Sequence, residues 1–399
     1  MGPRPPPGRR RSATASRSTP PPTAPRLAST SPRSRTPRCR PRSWPAGSPA
    51  RGPVREGDFT SAHFLGLRPS GTSAALTTGR PAVVEDREAG RPLAHTVARR
   101  IGAADGVLAR TSLHGLVDAL ATRAPGATIL LDEAIYPIGQ WAVGAVVSAL
   151  PGAGPVTFRH HDAHDAARKA SRHRHVVLVT DGLCGSCLKP APLRDLADVA
   201  RRHDGELVVD DTLAAGVLGV RDTSSRILGT GGGGTAAWLD VEPGLTVASL
   251  AKGLSAPLAV VAGPAARIER VRREGPARIH AGPPTAADIA ALRSAVADDS
   301  LDGRRARLAR LVLRARRTLE ELHLRPLGVP FPVVATEGGH SEPLEIHRAL
   351  ASSGIRSLAT TGRCTGRPTL TICLRADHGD AELRRLDRAL RAAVTRSAA

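Results

Sequence analysis

Beyond residue 58 the chain alternates short apolar runs with segments of helical period. "TILLDE" (128–133) predicts a buried strand, and "PVTFRH" (155–160), "VVLVT" (176–180), "ELVVDD" (206–211), "TVASL" (246–250) and "LAVVAG" (258–263) each predict a strand. "WAVGAVVSAL", the stretch around "DAARKAS" and "PLRDLADVARRHD" predict helices between the earlier strands. Continuous β-branched runs separated by helix-length segments indicate an α/β fold with a mostly parallel sheet covered by helices on both faces. In such sheets ligand chemistry gathers beyond the carboxyl ends of the strands. Asp132, Asp210 and Lys252 all fall at or just past such ends.

The pattern changes past residue 285. A long Arg-rich helical stretch (285–323) leads to "VPFPVVATEGG", then to a helix near 343–352 closed by Gly354. "TLTICLRADHG" and a last helix (380–395) complete a smaller C-terminal α+β domain. The expected organisation is a tail over 1–57, a large domain over 58–284 and a small domain over 285–399. "GTGGGGT" (229–235) lacks the Lys and Ser/Thr that follow a phosphate loop and opens no clear helix, so it reads as flexible.

The net charge of +21 suggests a nucleic-acid binder until it is divided. Residues 1–55 hold thirteen Arg and no acidic residue, which leaves +8 for the remainder. That Arg/Pro/Ser-rich opening has almost nothing to bury and cannot offset its ordering entropy, so disorder is expected. Its prolines oppose the amphipathic helix of a transit peptide, and no apolar run follows "GRRRS" as a twin-arginine signal requires. A dispensable tail, or an over-long start, is the expectation. No run approaches the ~20 apolar residues of a membrane span, so a soluble protein with neither membrane nor specific nucleic-acid partner is expected. Five cysteines, one of them in the tail, do not make a disulfide framework, and a cytoplasmic location follows as the default. Cys184 and Cys187 form a CxxC without a second pair, which does not read as a zinc site.

Lysine usage changes the picture more than charge does. Only three of the 57 basic residues are lysines, and one is Lys252 in "SLAKGLSAPLAVVAG" (249–263). Arginine serves surface charge or phosphate contact at least as well. Lysine alone can lose its proton and attack a carbonyl carbon to form a Schiff base. A codon-driven bias with chance survivors is the alternative.

In the order of these parts the chain resembles fold-type-I pyridoxal-phosphate transferases of the aminotransferase class I/II family, and among them the α-oxoamine synthases. "FTSAHFLGL" (59–67) is similar to their opening signature, and "RHHDAHDA" (159–166) to their His-Asn-Asp turn. "DGLCGSCLKPAPLRDLADVARRHDGELVVDDTLAAGVLG" (181–219) follows their central block without a gap, and "SLAKGLSAPLAVVAG" their lysine block. The resemblance covers roughly 59–395.

It implies a pyridoxal 5'-phosphate cofactor bound covalently by Lys252, which then acts as acid and base at the substrate α-carbon. Asp210 is implied to face the pyridine nitrogen and Tyr136, the only tyrosine, to stack on the ring. Ser249 would contact the phosphate, together with the turn Thr111, Ser112 and Leu113, whose amides open a helix. His160, His161, His164 and Asp162 imitate a metal cluster, but the resemblance makes them a structural turn, and no metal is expected. Three departures stand out: Leu213 replaces a His, Gly185 a Ser, and Thr371 the Arg that grips an amino-acid carboxylate. Arg375 lies four strand residues, about 13 Å, from Thr371, whereas Arg367 in the preceding turn is a candidate substitute. The implied activity is amino-acid C-acylation by an acyl-thioester in a homodimer. An aminotransferase or another pyridoxal-phosphate enzyme on the same scaffold, and a non-catalytic partner subunit, are the alternatives.

Overall fold

The computed structural model describes residues 57, 64–66, 81–83, 90–148, 154–221, 226–338 and 341–397. The expected disorder of the tail, and all of "FTSAHFLGL" except Phe64, Leu65 and Gly66, lie outside the described residues.

The elements begin with α1 (Gly90–Ile101), β1 (Asp105–Ala109), α2 (Ser112–Ala121), β2 (Thr128–Asp132), α3 (Pro137–Ser148) and β3 (Val156–Phe158). There follow α4 (Ala163–Ala170), β4 (Val176–Asp181), α5 (Leu193–Arg202), β5 (Glu206–Asp210), α6 (Gly234–Leu239), β6 (Leu245–Ser249) and β7 (Ala259–Gly263). The helices α7 (Ala265–Glu274), α8 (Pro276–His280), α9 (Ala286–Val296) and α10 (Leu301–Glu321) come next. The chain closes with β8 (Val333–Thr336), α11 (Pro343–Ser352), β9 (Leu358–Thr361), β10 (Pro368–Cys373) and α12 (Asp380–Ser397).

Seven strands form one sheet in the order β1-β7-β6-β5-β4-β2-β3. Neighbours from β6 through β3 are parallel, whereas β7 is antiparallel to both β6 and β1. Strand residues alternate between the two faces, as the pleat requires. Ile129, Leu131, Val177, Val179, Val208 and Val247 join α2, α3 and α7 in one apolar cluster. Leu130, Leu178, Leu207 and Val209 meet α4 and α5 on the other side. Both faces are therefore dry, which is why these strands read as unbroken apolar runs rather than alternating ones.

Two expectations are corrected. The helical stretch over 285–323 is two helices, since Asp298 accepts hydrogen bonds from the Ser300 amide (2.8 Å) and hydroxyl (2.5 Å), which competes with helix continuation. The glycine run is ordered and does open a helix, α6. Gly231, Gly232 and Gly234 take positive φ, which only glycine adopts without strain, and let the Thr235 amide reach the buried Asp211 carboxylate at 2.7 Å.

A second, antiparallel sheet of order β8-β10-β9 carries α11 on β10, and α12 packs on α11. Among the described residues no helix is long and apolar enough to cross a membrane.

Candidate active site

The parallel strands β4 and β5 end in register, with Asp181 opposite Asp210. Both carboxyls are buried. Burial raises the Asp210 pKa, opposed by hydrogen bonds from Thr212, whose amide donates to Oδ1 at 3.0 Å, and by the charge of Lys252. Asp181 is pushed well above the usual carboxylate range by burial and by the neighbouring Asp210, although it accepts the Tyr136 amide at 2.9 Å. Two carboxyls thus crowd one strand edge.

Lys252 lies just past β6, the next strand over, and is half-buried. Burial lowers its pKa, and the charges of Asp210 and Asp181 pull the other way. An amine depressed in this manner has more of the neutral form that attacks a carbonyl. Its Nζ stands 5.9 Å from the centre of the Tyr136 ring, which is 55% exposed at the start of α3.

Strand β1 runs parallel to β6 because both oppose β7, so the helix after β1 opens at the same sheet edge as Lys252. Thr111 caps that helix, its hydroxyl accepting the His114 amide at 3.3 Å. The Ser112 and Leu113 amides sit in the first turn, where helix geometry provides no acceptor and an anion is favoured. Ser249 ends β6; its amide donates to the Thr212 hydroxyl at 3.0 Å, and its own hydroxyl accepts the Ala251 amide at 3.4 Å.

The residues considered for a substrate carboxylate lie on or beside β10. Thr371 is buried in β10 between Ala335 and Leu358 and carries no charge. Arg367, 73% exposed, pairs with Glu337 at 3.4 Å. Arg375 is buried and paired with Asp377 at 2.9 Å.

Sequence reasoning missed Asp181 and Thr212. The only signal for Asp181 was an acidic residue ending a strand that pairs with β5. It had also assigned "RHHDAHDA" to a turn. Asp162 does cap α4, accepting the Asp165 amide at 2.8 Å. His160, however, turns inward and places Nδ1 2.8 Å from the buried Asp132, which also accepts the Thr180 hydroxyl at 3.1 Å. Burial opposes a charge on His160, yet Asp132 outweighs it and pushes the pKa up to about 10.

An amine, an aromatic face, two buried carboxyls and a helix N-terminus match the parts of a phosphorylated aromatic aldehyde whose ring nitrogen is basic. A protonated ring nitrogen would supply a second positive charge, beside Lys252, for the two carboxyls of Asp181 and Asp210.

Comparison with known proteins agrees. The family model "Aminotransferase class I and II" matches residues 106–390. An 8-amino-7-oxononanoate synthase of Nitrosococcus oceani is 32% identical over 243 residues, which span 59% of this chain but only 63% of that protein. One from an Azoarcus species is 29% identical over 381 residues, covering 84% of this chain and 95% of that protein. Among solved structures, a Sphingomonas wittichii serine palmitoyltransferase superposes with a TM-score of 0.65 at 14% identity, over 86% of this chain and 88% of that one. The shared fold is that of the fold-type-I transferases.

Proposed function

The chain belongs to the aminotransferase class I and II family, and we propose that it is a pyridoxal 5'-phosphate-dependent C-acyltransferase of the α-oxoamine synthase type, acting on an amino acid and an acyl-thioester. The observation that carries the reading is the placement of Lys252 between the Tyr136 ring and the buried Asp210 and Asp181.

Bound pyridoxal phosphate supplies an aldehyde that condenses with amines and a ring that accepts the electron pair released at the adjacent carbon. The Lys252 amine would hold the cofactor and would move a proton at the substrate α-carbon. Asp210 would hold a proton on the ring nitrogen: opposite charges ~4 Å apart attract by about 4 kcal/mol at an effective dielectric near 20, which would raise a pyridinium pKa by up to a few units. Tyr136 would cover one ring face, while Ser249 and the Thr111–Leu113 turn would receive the phosphate. Arg367 is the cation available for a substrate carboxylate, in competition with Glu337. A homodimer in the cytoplasm, built from a large domain over 58–284 and a small one over 285–399, completes the proposal.

The deciding assay offers glycine, alanine or serine with an acyl-CoA and follows free thiol beside keto-acid formation. Amino-acid-dependent thiol release supports the synthase. Keto acid without thiol shifts the assignment to an aminotransferase, and neither product shifts it to a non-catalytic subunit, the reading that Thr371 favours.

A further inference from the structure

The CxxC pair that lacked partners in the sequence acquires two in the fold. Cys184 and Cys187 sit in the loop after β4; Cys364 comes from the turn between β9 and β10, and His160 from the segment after β3. The three sulfurs and one imidazole nitrogen all lie within 4.8 Å of one another. We propose that His160, Cys184, Cys187 and Cys364 form a structural site for one tetrahedral zinc ion, which clamps the β9–β10 turn onto the loop after β4.

The distances suit a shared central ion. With zinc–sulfur bonds of about 2.3 Å, the edges of a tetrahedron are about 3.8 Å. Cys184 Sγ lies 3.8 Å from Cys364 Sγ, and Cys187 Sγ lies 3.7 Å from His160 Nε2. A disulfide would need sulfurs about 2.05 Å apart, would use only two of the four groups, and would not explain the imidazole. All three cysteines are free thiols. Iron–sulfur clusters spread their ligands around several atoms, so a set this compact fits a single ion.

The surroundings are those of a closed ligand set. His160 Nδ1 lies 2.8 Å from Asp132 Oδ1; with the Nδ1 proton held there, a metal ion that displaces the Nε2 proton meets a lone pair facing the sulfurs, the carboxylate–histidine arrangement that orients metal ligands. The Ser186 amide points at Cys184 Sγ at 3.4 Å, as a donor does toward a thiolate. A second tie already spans the same two loops, with the Arg363 amide donating to the Ser186 hydroxyl at 3.0 Å. Four protein ligands leave no open position, so the role is structural rather than catalytic. On binding, the three thiols and the His160 imidazolium release their protons to solvent, and the ion takes three thiolates and a neutral imidazole, with no change of oxidation state. The clamped turn also carries Arg367.

The test uses the full chain, produced with zinc in the growth medium and desalted. Mass-spectrometric metal counting is expected to find one zinc per chain. Cobalt(II) in its place should give the intense visible bands of a tetrahedral site with thiolate charge transfer, read as a difference against zinc protein of equal cofactor content. Cys364→Ser and Cys187→Ser should lower zinc retention at least tenfold at fixed free zinc, and Cys373→Ser, outside the cluster, should not. Asp132→Asn should weaken zinc by about 10–100-fold. Zinc-replete protein without metal, a weak octahedral cobalt spectrum, or a peptide disulfide among Cys184, Cys187 and Cys364 each overturns the proposal. If Cys364→Ser does not fold, the cobalt spectrum of the parent decides alone.

Discussion

The Lys252 ammonium faces the Tyr136 ring across 5.9 Å, although Tyr136 lies between β2 and α3 and Lys252 between β6 and β7. The gap leaves a ring face and an amine turned toward each other at the edge where Asp181 and Asp210 end their strands. Borohydride is expected to fix pyridoxal phosphate on the peptide containing Lys252, while Lys252→Ala should release the cofactor on dialysis. A protein that stays colourless after incubation with pyridoxal phosphate would sink the assignment.

The Tyr136 ring should act through its face and not its hydroxyl. Tyr136→Phe is expected to keep cofactor affinity within about threefold. Tyr136→Ala should weaken it by roughly 2- to 10-fold, from a stacking contribution of about 0.5–1.5 kcal/mol. Equal losses in both variants, measured by absorbance titration, would point to the hydroxyl instead.

Asp210 and Asp211 are adjacent but face different partners. Asp210→Asn should bind cofactor and lose most turnover, because a neutral amide no longer holds the ring nitrogen protonated. Asp211, raised to about 7 by burial, secures the Thr235 amide and hence the glycine loop. Asp211→Asn should therefore keep turnover per folded molecule within about threefold. The reverse ranking in steady-state assays would exchange the two roles.

A charge-assisted grip on a carboxylate is worth roughly 1.5–3 kcal/mol, and neutral Thr371 cannot provide it. Simple amino acids should bind about 10–100-fold more weakly than with an arginine at that position, and Thr371→Arg should recover part of this. Glu337→Ala, which frees the Arg367 guanidinium, should tighten binding, and Arg367→Ala should weaken it. Tight binding of glycine by the parent, unaltered in Arg367→Ala, would move the carboxylate site elsewhere.

Asp118 provides a pH signature away from the site. Burial raises its pKa to about 6, against the hydrogen bonds of the Ala277 and Arg278 amides, the first at 2.6 Å. A carboxyl whose folded pKa exceeds its unfolded value keeps its proton longer in the folded state. Its contribution is therefore most favourable below about pH 4 and is lost as pH rises through about 6. Asp118→Asn keeps an acceptor for Ala277 and removes the titration. Urea midpoints at pH 5 and pH 7 should show the variant gaining on the parent by about 1–2 kcal/mol toward pH 7. Parallel pH dependences would rule this out.

Several parts of the protein were legible in the chain because they are local. The runs that became β2, β4, β5, β6 and β7 are apolar on both faces. Lys252 stood out because arginine had displaced lysine almost everywhere else. Other features depended on side chains brought together across the sheet. Nothing around "LAVVAG" announces that β7 runs antiparallel, and "GTGGGGT" looks loose until Asp211 is seen beneath it. The pairing of Asp181 with Asp210 follows from strand register, which the sequence does not state. Cys364 lies 180 residues from Cys184, a separation that no spacing rule bridges. Periodicity reports which face of an element is dry. Only the packed chain decides which polar groups are buried together, because their pairing is set by the order of strands and by the loops that cross their ends.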